Sequence, residues 1–217
     1  MKIASVKMIA AAATLVGLSG LAITAGPARA ANPAGTQAHT VTSGAVPTDL
    51  SPRDLSTLPL ANSHLTERER ANLAVVLAQY HAAEGNSMDV PTFVENFAGD
   101  GVFTDVVAGQ TYKGNTLGDV LYKMHHLFPD VHRDLKRITV SGDVISIELS
   151  IQGTFSGTLE TPAGTVQPNG AKIDVPTADF WYLKDGKIEK FNCYVGYSDL
   201  WTQLGINIDW ASAVAKG

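Results

Sequence analysis

Asp179 is the carboxylate whose neighbours make it chemically interesting. In the run KIDVPTADFWYLK, Ile173, Val175, Thr177, Asp179, Trp181 and Leu183 share one face of a strand, because strand side chains alternate with a period of two. An acid on a mostly apolar face has its charged form disfavoured, so its pKa rises and it can give or take a proton near neutral pH. The same placement also suits a hydrogen-bonded core position. Asp105 precedes the turn Ala108-Gly109-Gln110, where it either shares the acid and base roles with Asp179 or caps its turn. A histidine beside one of these acids makes a second titratable group, and His132 and His126 are the candidates. Tyr80, Trp181 and Cys193 are candidate wall residues for the same pocket.

Two other chemistries find little support. His125 and His126 are adjacent on a helix and point in different directions, and neither a second cysteine nor a HExxH pattern accompanies them, so no metal site is expected. Cys193 sits between Phe191 and Val195 on an apolar strand face with no basic group to lower its pKa. It reads as a small buried hydrophobe rather than a nucleophile.

The elements that position these residues follow from periodicity and caps. Thr66 and Glu69 form a capping-box pattern, and Leu73, Val76, Leu77 and Tyr80 then recur at helical spacing up to Gly85. Asp89 and Pro91 open a short second helix to residue 97. Strands are expected over 102–107 and 111–113, a third helix from an Asn115 cap to Phe128, and strands over 131–140 and 144–158. Residues 161–170, with Pro162, Gly164, Pro168 and Gly170, read as a loop. Two final strands meet at the turn Asp185-Gly186 and lead into a short helix. Helices first and strands later, joined by short turns, indicate an α+β fold with N-terminal helices packed on a curved antiparallel sheet.

The ends of the chain and its charge limit its partners. Residues 1–30 carry Lys2 and Lys7, an apolar run and Ala28-Arg29-Ala30, the pattern of a signal peptide cleaved before Ala31. Residues 31–64 are expected to be a flexible linker or tail, and residues 65–210 the folded domain. The mature chain is thus expected to be exported, periplasmic or secreted, with no membrane association after cleavage. Cleavage removes Lys2, Lys7 and Arg29 and no acid, so the net charge moves from −5 to −8. An acidic chain with no basic run repels phosphate backbones, which argues against nucleic acid. Cys193 is the only cysteine, so stability must come from the core.

Phe128-Pro129-Asp130 with His132, the turn Gly142-Asp143-Val144, Ala178-Asp179-Phe180, Lys184-Asp185-Gly186-Lys187-Ile188 and Gln203-Leu204-Gly205 together resemble the SnoaL-like polyketide cyclase family of the NTF2-like superfamily. The resemblance spans residues 66–206. It implies an NTF2-like cone, a homodimer formed through the outer sheet face, and a cavity for a small hydrophobic organic molecule. It further implies acid/base chemistry with no cofactor: cyclisation, isomerisation, dehydration or hydrolysis. Asp179, Asp105 and His132 fall where members carry site residues, with His126 as a second choice. The positions where cyclases present a His and an Asp on the last long strand hold Phe191 and Cys193 here, and a further common acid falls at Gly196. That departure favours a protein that binds a ligand without converting it, and a dimeric interaction module with a filled core is a third reading.

Overall fold

The computed structural model describes residues 55–62, 64–207 and 209–216. The expected signal peptide and the expected tail up to residue 54 lie outside the described residues. Helix α1, Glu67–Ala83, starts as its cap predicts: the Thr66 side chain accepts from the Glu69 amide and the Glu69 carboxylate accepts from the Thr66 amide. Its buried surface is wider than the apolar stripe, since Asn72 and Gln79 go inward with Leu73, Val76 and Tyr80. The two polar side chains are satisfied there: Asn72 donates to the Gly142 carbonyl and the Asp143 carboxylate, and Gln79 donates to the Phe93 carbonyl. Helix α2, Val90–Glu95, is capped by Asp89 and carries Pro91 in its first turn.

Eight strands follow. β1 (Phe97–Asp105) and β2 (Gln110–Lys113) form the first hairpin. A 3-10 turn, Gly114–Thr116, stands where a helix capped by Asn115 was expected, and helix α3 runs Asp119–Leu127 with no side-chain cap. β3 (His132–Ser141) and β4 (Val144–Thr154) are antiparallel neighbours. Part of the expected loop at 161–170 belongs to a small hairpin, β5 (Leu159–Thr161) with β6 (Gly164–Val166). β4 stops at Thr154 rather than 158. The chain there presses on α3, where a Cβ at Gly157 would lie 1.9 Å from the His126 carbonyl oxygen. β7 (Lys172–Lys184) and β8 (Lys187–Val195) meet at Asp185-Gly186, both with positive φ (48° and 73°), the backbone that a two-residue hairpin turn requires. Helix α4 (Tyr197–Gln203) and helix α5 (Trp210–Lys216) close the chain.

The main sheet runs β2-β1-β8-β7-β4-β3. Every neighbouring pair is antiparallel except β1 with β8. Within the segment read as tail, the stretch ahead of α1 lies along β3. Leu60 bridges Ile138, the Ala61 amide donates to the Ile138 carbonyl and the Ile138 amide donates to the Pro59 carbonyl. Leu55, Leu58 and Leu60 pack on the core.

Cross-strand register arranges the inner face in rows. One row is Val140, Ile145, Trp181, Phe191, Phe103 and Tyr112, paired in turn across β3, β4, β7, β8, β1 and β2. Its aromatic half is a continuous stack. Trp181 and Phe191 lie 3.6 Å apart at 3°, Phe191 and Phe103 4.5 Å apart, and Phe103 and Tyr112 5.4 Å apart. Burying such side chains contributes about 1.5–3 kcal/mol each, so this row is a principal part of the core.

Candidate functional site

The next row carries the polar chemistry: Ile138, Ile147, Asp179, Cys193, Asp105 and Gln110, again by direct pairing. Asp179, Cys193 and Asp105 are therefore neighbours on one face, the thiol between the two acids. Burial lessens along the row. Asp179 is 3% exposed, Cys193 7%, and Asp105 half-buried.

Asp179 is held from above by α1. The Tyr80 hydroxyl donates to Asp179 Oδ2 at 2.7 Å, and Trp181 Nε1 donates to the Tyr80 oxygen at 3.1 Å. Asp179 Oδ1 is buried and accepts no hydrogen bond of ordinary geometry, and the Cys193 thiol facing the carboxyl is only a weak donor to it. Burial raises the Asp179 pKa to about 6 against the opposing pull of the Tyr80 hydroxyl, the weak Cys193 thiol donor and the Arg133 charge. The facing Asp105 charge adds to the rise. Burial likewise pushes Tyr80 and Cys193 well above their usual values, with the Asp179 charge adding to both, so each keeps its proton at neutral pH. Cys193 is consequently no thiolate nucleophile.

Asp105 combines a cap with a second contact. Its Oδ1 accepts from the Ala108 amide at 3.1 Å, and its Oδ2 accepts from the Tyr197 hydroxyl of α4. Burial, followed by the Asp105 carboxylate, raises the Tyr197 pKa, so this phenol is also a donor only. Tyr112 donates to Gln110 at 2.6 Å, and Lys123 of α3 stands 5.1 Å over its ring.

The structure thus brings Asp179, Asp105, Tyr80, Trp181 and Cys193 together and leaves the two histidines elsewhere. His132 pairs with Gln152, which pairs with Asp174, so all three belong to the outer face. Its imidazole is exposed and donates Nδ1–H to Glu84 at 2.8 Å. The reason is parity: His132 lies one residue before Arg133, and it is Arg133 that shares the inner face with Ile151 and Val175. His126 is exposed on α3, its Nε2 donating to the Thr158 carbonyl at 3.2 Å. Arg133 and Tyr197 were not singled out as site residues from sequence. Arg133 is half-buried, donates to the Ala83 carbonyl and is the cation whose field reaches Asp179.

An open groove of about 290 Å³ lies away from this row, at the ends of β3, β4 and β7, lined by Asp130, His132, Gln152, Gly153, Lys172 and Ile173. Asp130 accepts there from the Thr154 amide and hydroxyl, which holds its pKa below the usual carboxylate range. Among the described residues no cluster of His, Cys, Asp and Glu has a metal-binding arrangement, and no helix is long and apolar enough to cross a membrane.

Solved structures share the architecture. A protein with a ketosteroid isomerase-like fold from Catenulispora acidiphila is 23% identical, covering 63% of this chain and 95% of its own, with a TM-score of 0.52. AclR, a candidate hydroxylase from Streptomyces galilaeus, is 18% identical over 68% of this chain and 93% of its own, with a TM-score of 0.56. A candidate SnoaL-like polyketide cyclase from Jannaschia sp. CCS1 is 17% identical over 67% and 99%, also with a TM-score of 0.56. At these identities the likeness establishes the ketosteroid isomerase-like, NTF2-like fold. Among curated proteins nothing matches. The model of the SnoaL-like domain matches residues 77–191, more than half of the sequence and every strand from β1 to β7, and the chain belongs to the SnoaL-like domain family.

Proposed function

We propose that this protein is exported, binds a small hydrophobic organic molecule and moves a proton on it without a cofactor, with Asp179 as the proton carrier. The observation that carries the proposal is a buried carboxyl with one oxygen held by Tyr80 and the other accepting no hydrogen bond of ordinary geometry, and with a pKa of about 6. A buried carboxyl oxygen with no strong donor on it is free to take a proton from a bound molecule. Half-ionised at about pH 6 and mostly ionised at neutrality, the group removes a proton from carbon next to a carbonyl and returns it to another atom. In the first step the C–H bond breaks, the Asp179 O–H bond forms and the electron pair rests on the substrate as an enolate. In the second, Asp179 gives the proton back to carbon, completing an isomerisation, or the enolate carbon bonds to a second carbonyl carbon, the C=O π bond breaks, and Asp179 gives its proton to the resulting alkoxide oxygen.

5-Nitrobenzisoxazole tests this, because a desolvated carboxylate takes its ring proton as the N–O bond breaks to give a coloured phenolate. Wild type is expected to accelerate the reaction, and Asp179→Asn, verified as folded by circular dichroism, to slow it by on the order of 100-fold. Equal rates in the two proteins sink the proposal. A ligand carrier with no turnover is the second reading, favoured by Phe191 and Cys193, both buried in the core where cyclases carry their His and Asp. A homodimer through the outer sheet face, and export by the leader at residues 1–30, complete the proposal.

A further inference from the structure

We infer that Tyr80 and Trp181 are positioning residues for Asp179: their hydrogen-bond chain fixes one carboxyl oxygen and reserves the other for a neutral ligand that offers a hydroxyl or an acidic C–H. The inference rests on the proposed proton-transfer role and adds to it the residues that orient the acid and the class of ligand it accepts.

The direction of the chain follows from donor inventory. An indole N–H only donates, so the Tyr80 oxygen must accept from Trp181 and its single proton must go to Asp179 Oδ2. Trp181 cannot swing away, because its ring is stacked on Phe191 at 3.6 Å and meets Tyr80 edge-on at 5.7 Å and 73°. All three groups are buried, so water does not compete for the Tyr80 proton. Oδ2 is thereby a fixed acceptor, and the carboxyl proton, when present, rides on Oδ1. The titratable and charged groups facing this carboxyl are Tyr80 from α1, Cys193 from β8, Asp105 from β1 and Arg133 from β3. An anionic ligand would meet two carboxylates. A cation would be drawn by the same two carboxylates but stripped of its water beside Ile147, the cross-strand neighbour of Asp179. A neutral donor avoids both costs.

The test reads Asp179 directly, with no substrate, so it stands or falls separately from turnover. The Asp179 carboxyl carbon is followed by NMR through a pH titration in protein labelled at aspartate, its signal identified by absence in Asp179→Asn. Tyr80→Phe removes the donor to the ionised form and is expected to raise the midpoint by about one unit, a tenfold change in proton affinity. Trp181→Phe keeps an aromatic ring against Phe191 and removes only the N–H, and its midpoint is expected to rise by less. If Tyr80 does not donate to the ionised carboxylate the midpoint stays in place, and an unchanged or lowered midpoint overturns the inference. Should Tyr80→Phe not fold, Trp181→Phe alone decides it in the same way. With added ligand, 2-naphthol is expected to shift the Asp179 signal and 2-naphthoate is not; the opposite order overturns the ligand class.

Discussion

At the scale of single residues, Asp179 links stability to pH with an unusual sign for a carboxylate. Its folded pKa of about 6 lies above the value near 4 of an exposed aspartate, so the folded state holds the proton more tightly than the unfolded chain. The stability this gives is complete below about pH 4 and is lost as the pH rises through about 6. Two units correspond to about 3 kcal/mol, of which about 2 kcal/mol falls between pH 4.5 and 7.5, so urea unfolding at those two values should show this decline in wild type and a flatter profile in Asp179→Asn. An equal slope in both proteins would assign the effect to other groups. The acid itself was legible in the sequence, because β7 alternates strictly and Ile173, Val175, Thr177, Asp179, Trp181 and Leu183 are all buried. Tyr80 was legible as a wall residue of the same pocket, but its bond to the acid was not, since it lies 99 residues away and meets Asp179 only after α1 has docked on the sheet. His132 illustrates the converse. One step of strand parity separates it from Arg133, and an irregularity between Leu135 and Arg137 hides that parity from the residue pattern.

At the scale of elements, the segment ahead of α1 does more than space the domain. β3 is the last strand of the sheet, and an unpaired strand edge invites association with other chains. Residues 59–62 lie along that edge. The Asn62 side chain acts there as a peptide group, accepting from the Val140 amide at 3.3 Å and donating to the Val140 carbonyl at 3.0 Å. Asn62→Ala removes both bonds and is expected to cost about 1–2 kcal/mol. Hydrogen exchange at the Ile138 and Val140 amides should quicken with it, and unaltered protection would show that the segment contributes nothing to the edge. Composition concealed this role: a stretch rich in Pro, Ser, Thr and Leu has no strand period, and two or three backbone bonds to a distant strand leave no trace in sequence. The helix caps were clear by contrast, because Thr66 and Asp89 act within three residues of themselves.

At the scale of the whole molecule, the sheet has one face toward the helices and one that the described residues leave with aromatic content. Phe180 and Tyr194 meet edge-on at 5.7 Å there, Tyr194 is 39% exposed, and Lys190 stands over the Tyr182 ring. For the proposed homodimer, sedimentation equilibrium should give twice the chain mass, and Tyr194→Lys should shift the protein toward monomer by placing a charge in an apolar contact. A wild-type monomer at all concentrations would remove the dimer from the proposal. The order of the long strands along the chain and the Asp185-Gly186 turn were readable because each depends on neighbours in the chain, whereas the short β5–β6 hairpin carries no such signal. The β1–β8 pairing, which brings Asp105 beside Cys193, joins residues 88 apart and had no local signal. That turn has a consequence for how such a site changes over evolutionary time. It pins β7 against β8 so that Cys193 faces Asp179, while Asn192 and Tyr194 on either side point outward. Lengthening the turn by one residue reverses which half of β8 looks inward, exchanging a thiol for an amide or a phenol beside the buried acid. The chain thus carries a second set of polar side chains one step out of phase, open to a single insertion where point substitutions would have to rebuild the row residue by residue.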